Sequence, residues 1–403
     1  SKGIIQIDPL LCMPEINRKN NRIRVHGLFK KIEPLELKLG GGIEYPKKNS
    51  LYWLPIAGYN THNGVMAGLY LHNYLFLEKK FHFDIAPMYG FGNQQLAGIA
   101  NFSLQLHPQF AQALNFGFKM KRFAYDEFPQ NKNYSRLENY VTFEFKKKNI
   151  RSHITHQISL HHIYINEDKF TLTGNQPNEL TFHKTQTDKN FIEFRYHLKN
   201  KRVKNYYSLN SYLQSGGNNN FLKDPSPYSK LWAEFNFHIT TNSKNNGWDL
   251  RAFAGYFLSP ISTIDTRFRM NGIYGTRDYT YSNLFIGRNE LNSIHQQVYT
   301  ESEGGFKTRM FIGQSSNYLM ALNIKTPRLL KSIGIFADIG TCGKDGLLSQ
   351  DILYDAGINI DFFKDVVNVY LPLVYSNDIK KGIVSNEWNF FQCIMINVRI
   401  RSE

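Results

Sequence analysis

The stretch from Lys189 to Leu198, "KNFIEFRYHL", poses the question that decides the fold. From position 192 onward, apolar side chains alternate with charged or polar ones. The apolar set is Ile192, Phe194, Tyr196 and Leu198, and the polar set is Glu193, Arg195 and His197. A period of two residues indicates a β-strand with one apolar face, not a helix. That face would pack on a second sheet in a soluble sandwich, or face lipid in a membrane barrel whose polar face lines the lumen.

Composition is compatible with a membrane barrel and excludes a transmembrane helix. The 403 residues are 42% hydrophobic, and the mean hydropathy is -0.42. No run reaches the roughly 18 apolar residues that a transmembrane helix needs. A transmembrane strand needs only about 10 alternating residues, so low hydropathy does not argue against a barrel. The aromatic content of 15%, with 31 Phe and 24 Tyr, favours lipid-facing Phe and interfacial Tyr.

The net charge of +15 first suggests a nucleic-acid partner. The cations are scattered through turns such as "PKKNS" and "FKKKNIRS", however, and no nucleic-acid-binding motif accompanies them. Solvated turns and a basic lumen explain the surplus, and we expect no nucleic-acid partner. The three cysteines, Cys12, Cys342 and Cys393, are too few and too far apart for a disulfide framework or a zinc site.

Short alternating segments separated by turn signals follow one another along the chain. We predict strands near 35–45, 51–59, 64–75, 80–90, 95–106, 113–123, 137–147, 151–163, 190–200, 204–213, 229–241, 247–257, 317–325, 331–340, 351–363, 366–375 and 389–401. Several are longer than the five or six residues usual in globular sheets, and are long enough to cross a bilayer at a tilt. No segment shows a convincing helical period.

The predicted connections alternate in length. Short turns join 75–80, 146–151, 200–204, 241–247 and 363–366, and long polar loops fall at 124–136, 164–188, 214–228 and 376–388. Outer-membrane barrels have short periplasmic turns and long external loops. The region 258–316 is predicted either to add one or two strands, in "FRMNGIYG" and "YTYSNLFIG", or to form a large loop folded into the lumen.

The C-terminal segment can close the sheet. Ile394, Ile396, Val398 and Ile400 alternate with Met395, Asn397, Arg399 and Arg401. Pairing of this strand with the first strand would remove both sheet edges, as a bilayer requires. We therefore predict an all-β protein, an antiparallel transmembrane barrel of about 16 strands (range 14–18) over residues 34–403. Residues 1–33 are predicted to form a periplasmic lead or a plug-like linker.

Charged residues recur on the polar faces of the predicted strands. The lumen-facing acidic candidates are Glu193, Glu234, Asp249, Asp338, Asp355 and Asp361, and the basic ones are Arg195, Arg251, Arg399 and Arg401, with His197 beside them. Because the charges recur on strand after strand, we interpret them as an ion-pair lattice that fills and stiffens the barrel. Paired carboxylates for hydrolysis are the weaker interpretation.

Motifs for catalysis and metal binding are missing from the sequence. There is no HExxH, GxSxG, Walker loop or dinucleotide fingerprint. In "SHITHQISLHHIYI", His153 and His161 share one strand face while His156 and His162 share the other, so they cannot converge on one metal without a bulge. We predict no catalytic residue, metal or cofactor. A hydrolase in the lumen would need a Ser or an Asp to meet a His, and the sequence shows candidates without a pattern.

Five stretches carry a family resemblance: "NRKNN", "EPLELKLGGGIE", "GYNTHNGVMAGLYLHN", "EKKFHFDIAPMYGFG" and, near the other end, "YDAGINIDFFKDVVNVYLPLVYSNDI". They resemble the C-terminal outer-membrane barrel region of gluzincin (aminopeptidase-like) metallopeptidases of Bacteroidota-type Gram-negative bacteria. The resemblance covers a third to a half of the chain and concerns turns and interfacial aromatics. The peptidase residues of that family would precede Ser1, and no residue of this chain matches them, so no catalytic role is carried over.

These observations predict an integral protein of the outer membrane that is not itself an enzyme. It would be a membrane anchor or assembly platform for a peptidase domain or partner proteins. The alternative is a passive pore or transporter whose basic lumen favours anions. Expected partners are outer-membrane lipid, lipopolysaccharide, and other outer-membrane or periplasmic proteins.

Overall fold

The computed structural model describes residues 3–10, 12–14, 21–26, 35–41, 48–74, 79–173, 181–218, 228–242, 246–259, 266–288, 297–330, 332–343, 352–362 and 366–398. The strands are β1 Ile4–Gln6, β2 Arg22–Arg24, β3 Leu35–Leu39, β4 Asn49–Asn60, β5 Gly64–His72, β6 Phe81–Gly90, β7 Gln95–Leu106, β8 Ala113–Asp126, β9 Lys132–Glu144, β10 Ile154–Thr173, β11 Thr181–Asn200, β12 Tyr207–Asn218, β13 Tyr228–Thr240, β14 Gly247–Phe257, β15 Phe268–Arg269, β16 Ile273–Tyr274, β17 Val298–Thr300, β18 Gln314–Ser315, β19 Tyr318–Lys325, β20 Ile333–Cys342, β21 Leu353–Phe362, β22 Val367–Tyr375 and β23 Met395–Val398. The helices are α1 Asn377–Ser385 and α2 Phe390–Cys393.

The main sheet is a closed barrel. In the part of the chain that the structure describes, the strands β4 to β14 and β19 to β23, sixteen in all, form one meander in which each strand pairs antiparallel with the next. β3 runs parallel to β4 on its remaining edge. With an even number of antiparallel strands, the start of β4 and the end of β23 lie at the same end of the barrel. The predicted fold class is confirmed.

Side-chain exposure alternates along the barrel strands as the sequence pattern requires. On β20, Ile335 and Ile339 are exposed, whereas Phe336 and Asp338 between them are buried. A β-strand turns successive side chains to opposite faces, so the isoleucines point out of the barrel and the aspartate points in. Leaving a full belt of such residues in water would cost about 25 cal/mol per Å². An apolar outer face on a closed sheet is the arrangement of a transmembrane barrel.

β10 and β11 are longer than predicted and project beyond the rim. Both have 20 residues, and they pair from Ile154↔Asn200 to Thr173↔Thr181. Among the described residues, β9 accompanies β10 only as far as Glu167, and the pairing of β12 with β11 starts at Lys189. The outer ends therefore form a two-stranded ribbon. The prediction of a loop over 164–188 is wrong at both ends, where the structure has strands. The sequence pattern missed them because the ribbon is solvated on both faces and lacks the apolar alternation of a membrane strand.

The loops predicted at 124–136 and 214–228 are also too long. β8 extends to Asp126 and β9 begins at Lys132, so the strands leave only a short turn between them. β12 extends to Asn218 and β13 begins at Tyr228. Residues at the barrel rim have polar side chains, yet their backbones continue the hydrogen bonds of the sheet. A prediction based on alternating apolar residues therefore ends these strands too early.

Two helices replace part of the predicted C-terminal loop and strand. α1 buries Ile379 and Ile383, which are four residues apart on one helical face. α2 begins with a capping box in which the Asn389 side chain accepts from the Gln392 backbone N–H. Only 395–398 of the predicted strand 389–401 is strand among the described residues. The expectation of no helix is wrong here, since two buried anchors are too few to give a clear period.

The described parts of the region 258–316 fold into the lumen, as one of the two alternatives predicted. We call its described parts, 266–288 and 297–316, the lumen loop. "FRMNGIYG" contributes the two-residue strands β15 and β16, while "YTYSNLFIG" contains no strand. Met270, Phe306 and Lys307 of the loop are inaccessible to solvent. Loop aromatics and inward-facing wall residues form the hydrophobic core inside the barrel.

The N-terminal lead contains a small sheet of its own, because β1 and β2 pair antiparallel. Residues 27–34, which include the predicted boundary at 33/34, lie outside the described residues. The periplasmic or plug-like role of the lead stays a prediction.

Candidate functional site: the lumen and its loop

The predicted lipid-facing residues that belong to described strands lie on outward positions, whereas Ile394 lies between α2 and β23. Ile192, Phe194 and Val398 are exposed, and Tyr196, Leu198, Ile394 and Ile396 are half-buried. Ile400 lies outside the described residues. The opening stretch thus has its apolar side chains on the outer surface, while Glu193 is buried inside.

The predicted lumen-facing residues lie on inward positions. Glu193, Arg251, Asp338, Asp355 and Asp361 are buried, Arg195, His197 and Glu234 are half-buried, and Asp249 is exposed near a barrel mouth. Arg399 and Arg401 lie outside the described residues. Two pairs form within the predicted set, Glu193 with Arg195 and Glu234 with Arg251. The remaining acidic residues have partners that the sequence did not indicate: His238 for Asp249, Arg328 for Asp361, and the lumen loop for Asp338 and Asp355.

Lys307 is the centre of the contact between the lumen loop and the wall. Its Nζ lies 2.6 Å from Asp338 Oδ1 and 3.3 Å from Glu301 Oε1, and the side chains of Lys307 and Asp338 are both 0% exposed. The Lys307 backbone N–H also donates to Asp355 Oδ2 at 3.1 Å. A buried ion pair adds little net stability, but removing one partner leaves an uncompensated charge and costs about 3–5 kcal/mol. The pair therefore fixes where the loop sits.

The network around Lys307 extends over neighbouring wall strands. Lys325 Nζ donates to Glu301 Oε2 at 2.8 Å and to Tyr370 Oη at 2.7 Å. The Asn323 side-chain amide donates to Asp338 Oδ1 and to the Gly304 carbonyl, at 3.0 Å each. β19, β20, β21 and β22 are thereby joined to one segment of the loop.

Arg251 links the wall strands β13 and β19 where the adjacent part of the loop passes over them. Its guanidinium donates to Asn323 Oδ1 at 2.9 Å and to Glu234 Oε2 at 2.6 Å. Gly305 passes directly over this group with φ +65°, and a Cβ there would lie 2.6 Å from Arg251 Nη1. Glycine is needed at this position both for the left-handed backbone and for the close approach.

Lys230 holds the start of the lumen loop. Its Nζ donates to the Thr266 carbonyl at 3.0 Å and lies 4.0 Å from Glu303 Oε1. Four aromatic rings surround the ammonium at centroid distances of 4.8–5.6 Å: Trp232, Phe257, Phe268 and Tyr279. Cation–π contacts are stronger when desolvated, as this fully buried one is.

The other side of the loop contacts β8 to β12. Tyr281 stacks on Tyr134 with centroids 3.9 Å apart, and its hydroxyl donates to Glu167 Oε2 at 3.0 Å. Arg136 Nε donates to the Thr280 carbonyl at 2.8 Å. Beside Arg288 a cavity of about 200 Å³ remains between the loop and the inner wall. The loop thus spans the lumen from one wall to the other.

The sequence did not reveal the loop side of this network. Glu301, Glu303 and Lys307 have no strand period that would give them a direction, and their partners are far away in the sequence. The available signal was the mixture of charges and aromatics in 258–316, which is unusual for a solvated external loop.

The structure gives three further findings about the described part of the chain. No group of three or more His, Cys, Asp or Glu side chains there could hold a metal ion. In the histidine cluster, His161 is buried on the lumen face, whereas His162 is exposed on the outer face. No helix in the described ranges is long and apolar enough to cross a membrane.

Comparison with known proteins finds similarity among solved structures. No family model matches the chain, and no curated protein matches it. CdiB from Acinetobacter baumannii matches at 10% identity and a TM-score of 0.40, over 84% of this chain and 61% of that one. BamA from Haemophilus ducreyi lacking POTRA domains 1–3 matches at 10% and 0.41, over 81% and 69%. CdiB from Escherichia coli matches at 9% and 0.42, over 82% and 59%.

The chain spans about three fifths of the length of the two CdiB chains. Matches at this level of identity and TM-score show no more than a similar course of the backbone. The fold assignment rests on the strand pairing and side-chain exposure of this chain. The resemblance to gluzincin-associated barrels stays a prediction. The closed and mostly antiparallel sheet, its apolar outer face and its interior of buried charged and aromatic side chains make this chain an outer-membrane β-barrel whose lumen is occupied by its own loop.

Proposed function

We propose that the chain is a membrane anchor and assembly platform, holding a peptidase domain or partner proteins at the outer membrane. The observation that carries this proposal is the lumen loop, held across the barrel by the buried Lys307–Asp338 pair, by Lys230 and, on the opposite wall, by Arg136. A loop fixed at several points obstructs the path that a diffusion pore needs. A rigid, filled barrel suits an anchor.

The position of the chain ends supports the same proposal. The starts of β3 and β4 and the end of β23 lie at one end of the barrel, opposite to the ribbon of β10 and β11 and to the lumen loop. In outer-membrane barrels this is the periplasmic end. A domain attached through the lead would therefore be held against the periplasmic face of the membrane.

The second candidate is a passive pore with an anion-favouring lumen. Inward residues nearer the periplasmic end, such as Gln157, His197 and Asn210, are only partly buried. The part of the lumen near the periplasmic end is therefore partly solvated. It would form a continuous pore only if the lumen loop moved aside.

Recording from the purified chain in planar lipid bilayers separates the two candidates. The anchor predicts no steady conductance from the wild-type chain. A variant with residues 266–316 replaced by a short Gly/Ser linker should conduct, which proves that barrels were inserted. Steady anion-selective conductance from the wild type would overturn the anchor proposal.

The platform role needs a second measurement, on protein extracted in mild detergent from the cells that make it. We expect a peptidase domain or a periplasmic protein to co-purify in fixed proportion to the barrel. Crosslinking in intact cells that attaches no protein to the barrel would count against the platform. A crosslinker at a lipid-exposed position is the positive control and should attach lipid.

A further inference from the structure

We propose that Ser159, His161 and Glu138 form a nucleophilic site in the lumen that cleaves carboxylic esters. His161 Nε2 lies 2.9 Å from Ser159 Oγ, and His161 Nδ1 lies 2.7 Å from Glu138 Oε1. A hydroxyl on one imidazole nitrogen and a carboxylate on the other is the arrangement that activates a serine. The site goes beyond the anchor function and does not depend on it.

Strand geometry explains why the three side chains meet. Ser159 and His161 are two residues apart on β10 and therefore share the lumen face. On β9, Tyr140 lies directly opposite His161, and Glu138 lies one inward position further along the same face. Tyr140 stacks on the imidazole with centroids 5.5 Å apart, which limits rotation of the ring.

The contacts determine which atom carries each proton. A carboxylate only accepts hydrogen bonds, so the His161 nitrogen facing Glu138 must carry the hydrogen. In the neutral imidazole, Nε2 is then the acceptor, and the Ser159 hydroxyl donates to it. This is the state in which the imidazole can remove the serine proton.

Arg195 is placed to stabilise the negative charge that forms during attack. It pairs directly with Ser159 across β10 and β11. Its guanidinium lies between two carboxylates, with Nε 2.7 Å from Glu193 Oε2 and Nη2 3.7 Å from Glu138 Oε1. A fixed cation beside the reacting carbonyl oxygen lowers the barrier for acyl transfer.

The lumen loop is linked to this site through one residue. Arg136 Nη1 lies 2.7 Å from Glu138 Oε2, while Arg136 Nε donates to the Thr280 carbonyl of the loop. Arg136 therefore positions Glu138 and connects the site to the underside of the loop. Ser159, His161 and Glu138 are buried, and the inward residues nearer the start of β10 are half-buried, so a substrate would have to enter from the periplasmic end.

The reaction balances without any further reagent. Ser159 Oγ bonds to the ester carbonyl carbon and gives its proton to His161 Nε2, which passes it to the departing alcohol as the C–O bond breaks. A water molecule then attacks the acyl-serine and gives a proton to Nε2. That proton returns to Ser159 Oγ as the carboxylic acid leaves.

The test uses the folded wild-type chain in detergent with a fluorophosphonate probe, followed by intact mass and peptide mapping. We expect one adduct, located on Ser159, that does not form after boiling. His161→Gln should slow labelling at least about 100-fold, the usual contribution of a general base. The matched control is Thr142→Ala, because Thr142 is a buried lumen hydroxyl opposite Ser159 on β9; it should be labelled like the wild type.

Each result decides the proposal. An adduct on another residue, or none on chain that still shows a heat-dependent gel shift, would overturn it. If the His161→Gln variant is labelled as fast as the wild type, His161 does not activate Ser159 and the proposal is wrong. Turnover of p-nitrophenyl butyrate with a burst of one product per labelled serine, absent in Ser159→Ala, is the expected kinetic counterpart.

Discussion

Lys307 of the lumen loop and Asp338 of β20 form an ion pair from which solvent is fully excluded, with Nζ 2.6 Å from Oδ1. The two residues are 31 positions apart in the sequence and belong to different layers, the plug and the wall. This pair accounts for the loop staying in the lumen, since withdrawal of the loop would leave Asp338 unpaired.

Replacement of one partner should destabilise the barrel more than replacement of both. Lys307→Met leaves Asp338 buried without its cation, and we expect a loss of about 3–5 kcal/mol in the free energy of unfolding. The double variant Lys307→Met with Asp338→Leu should recover most of it. Urea titration of the heat-dependent gel shift measures this, with the exposed Lys380→Met as control. Single variants that unfold like the control would refute the role of the pair.

Gly305→Ala should loosen the loop without unfolding the wall. The substitution places a methyl 2.6 Å from Arg251 Nη1 and strains a backbone with φ +65°, a cost of about 1–3 kcal/mol. We expect flickering conductance in planar bilayers with a nearly unchanged gel shift. Gly382→Ala is the matched control, because its added methyl meets no atom closer than 3.9 Å. Equal conductance in both variants would contradict the prediction.

A charged side chain on the outer face should destabilise the barrel more, the closer it lies to the bilayer midplane. Ile339 on β20 is 46% exposed on the outer surface, and Ile339→Lys should cost about 2–4 kcal/mol near the bilayer midplane. Thr171→Lys, on the solvated ribbon of β10, should change stability by less than about 0.5 kcal/mol. Folding into lipid vesicles at graded urea concentrations compares them. Similar costs at both positions would mean that Ile339 does not face lipid.

The ribbon of β10 and β11 should be accessible from outside the cell. In a Cys12→Ser background, T181C at the ribbon and R202C at the opposite end are both exposed positions, and Cys342 and Cys393 are buried. A large polyethylene-glycol maleimide on intact cells should modify T181C at once. It should reach R202C only after the outer membrane is permeabilised. The reverse order would invert the orientation of the barrel.

The local pattern was sufficient wherever a strand lies between lipid and lumen. The predicted strands at 95–106 and 247–257 coincide with β7 and β14, because a period of two is set by each residue and its immediate neighbours. It failed at 164–188 and 376–388, where a solvated ribbon and a nine-residue helix carry too few buried apolar residues to show a period.

The candidate site divides in the same way. The sequence placed Glu193, Arg251 and Asp338 on the polar face but assigned lattice partners only within that set. It divided His161 from His162 by face, yet gave no sign that Ser159 and Glu138 would meet the ring.

The sequence by itself thus determined the two faces of the strands that lie between lipid and lumen, since alternation is a short-range property that the bilayer and the lumen impose directly. Only the tertiary structure decided which charges meet. Lys307 meets Asp338 because of the path of the lumen loop, and Glu138 meets His161 because of the register between β9 and β10. A pattern of neighbouring residues predicts neither the path nor the register.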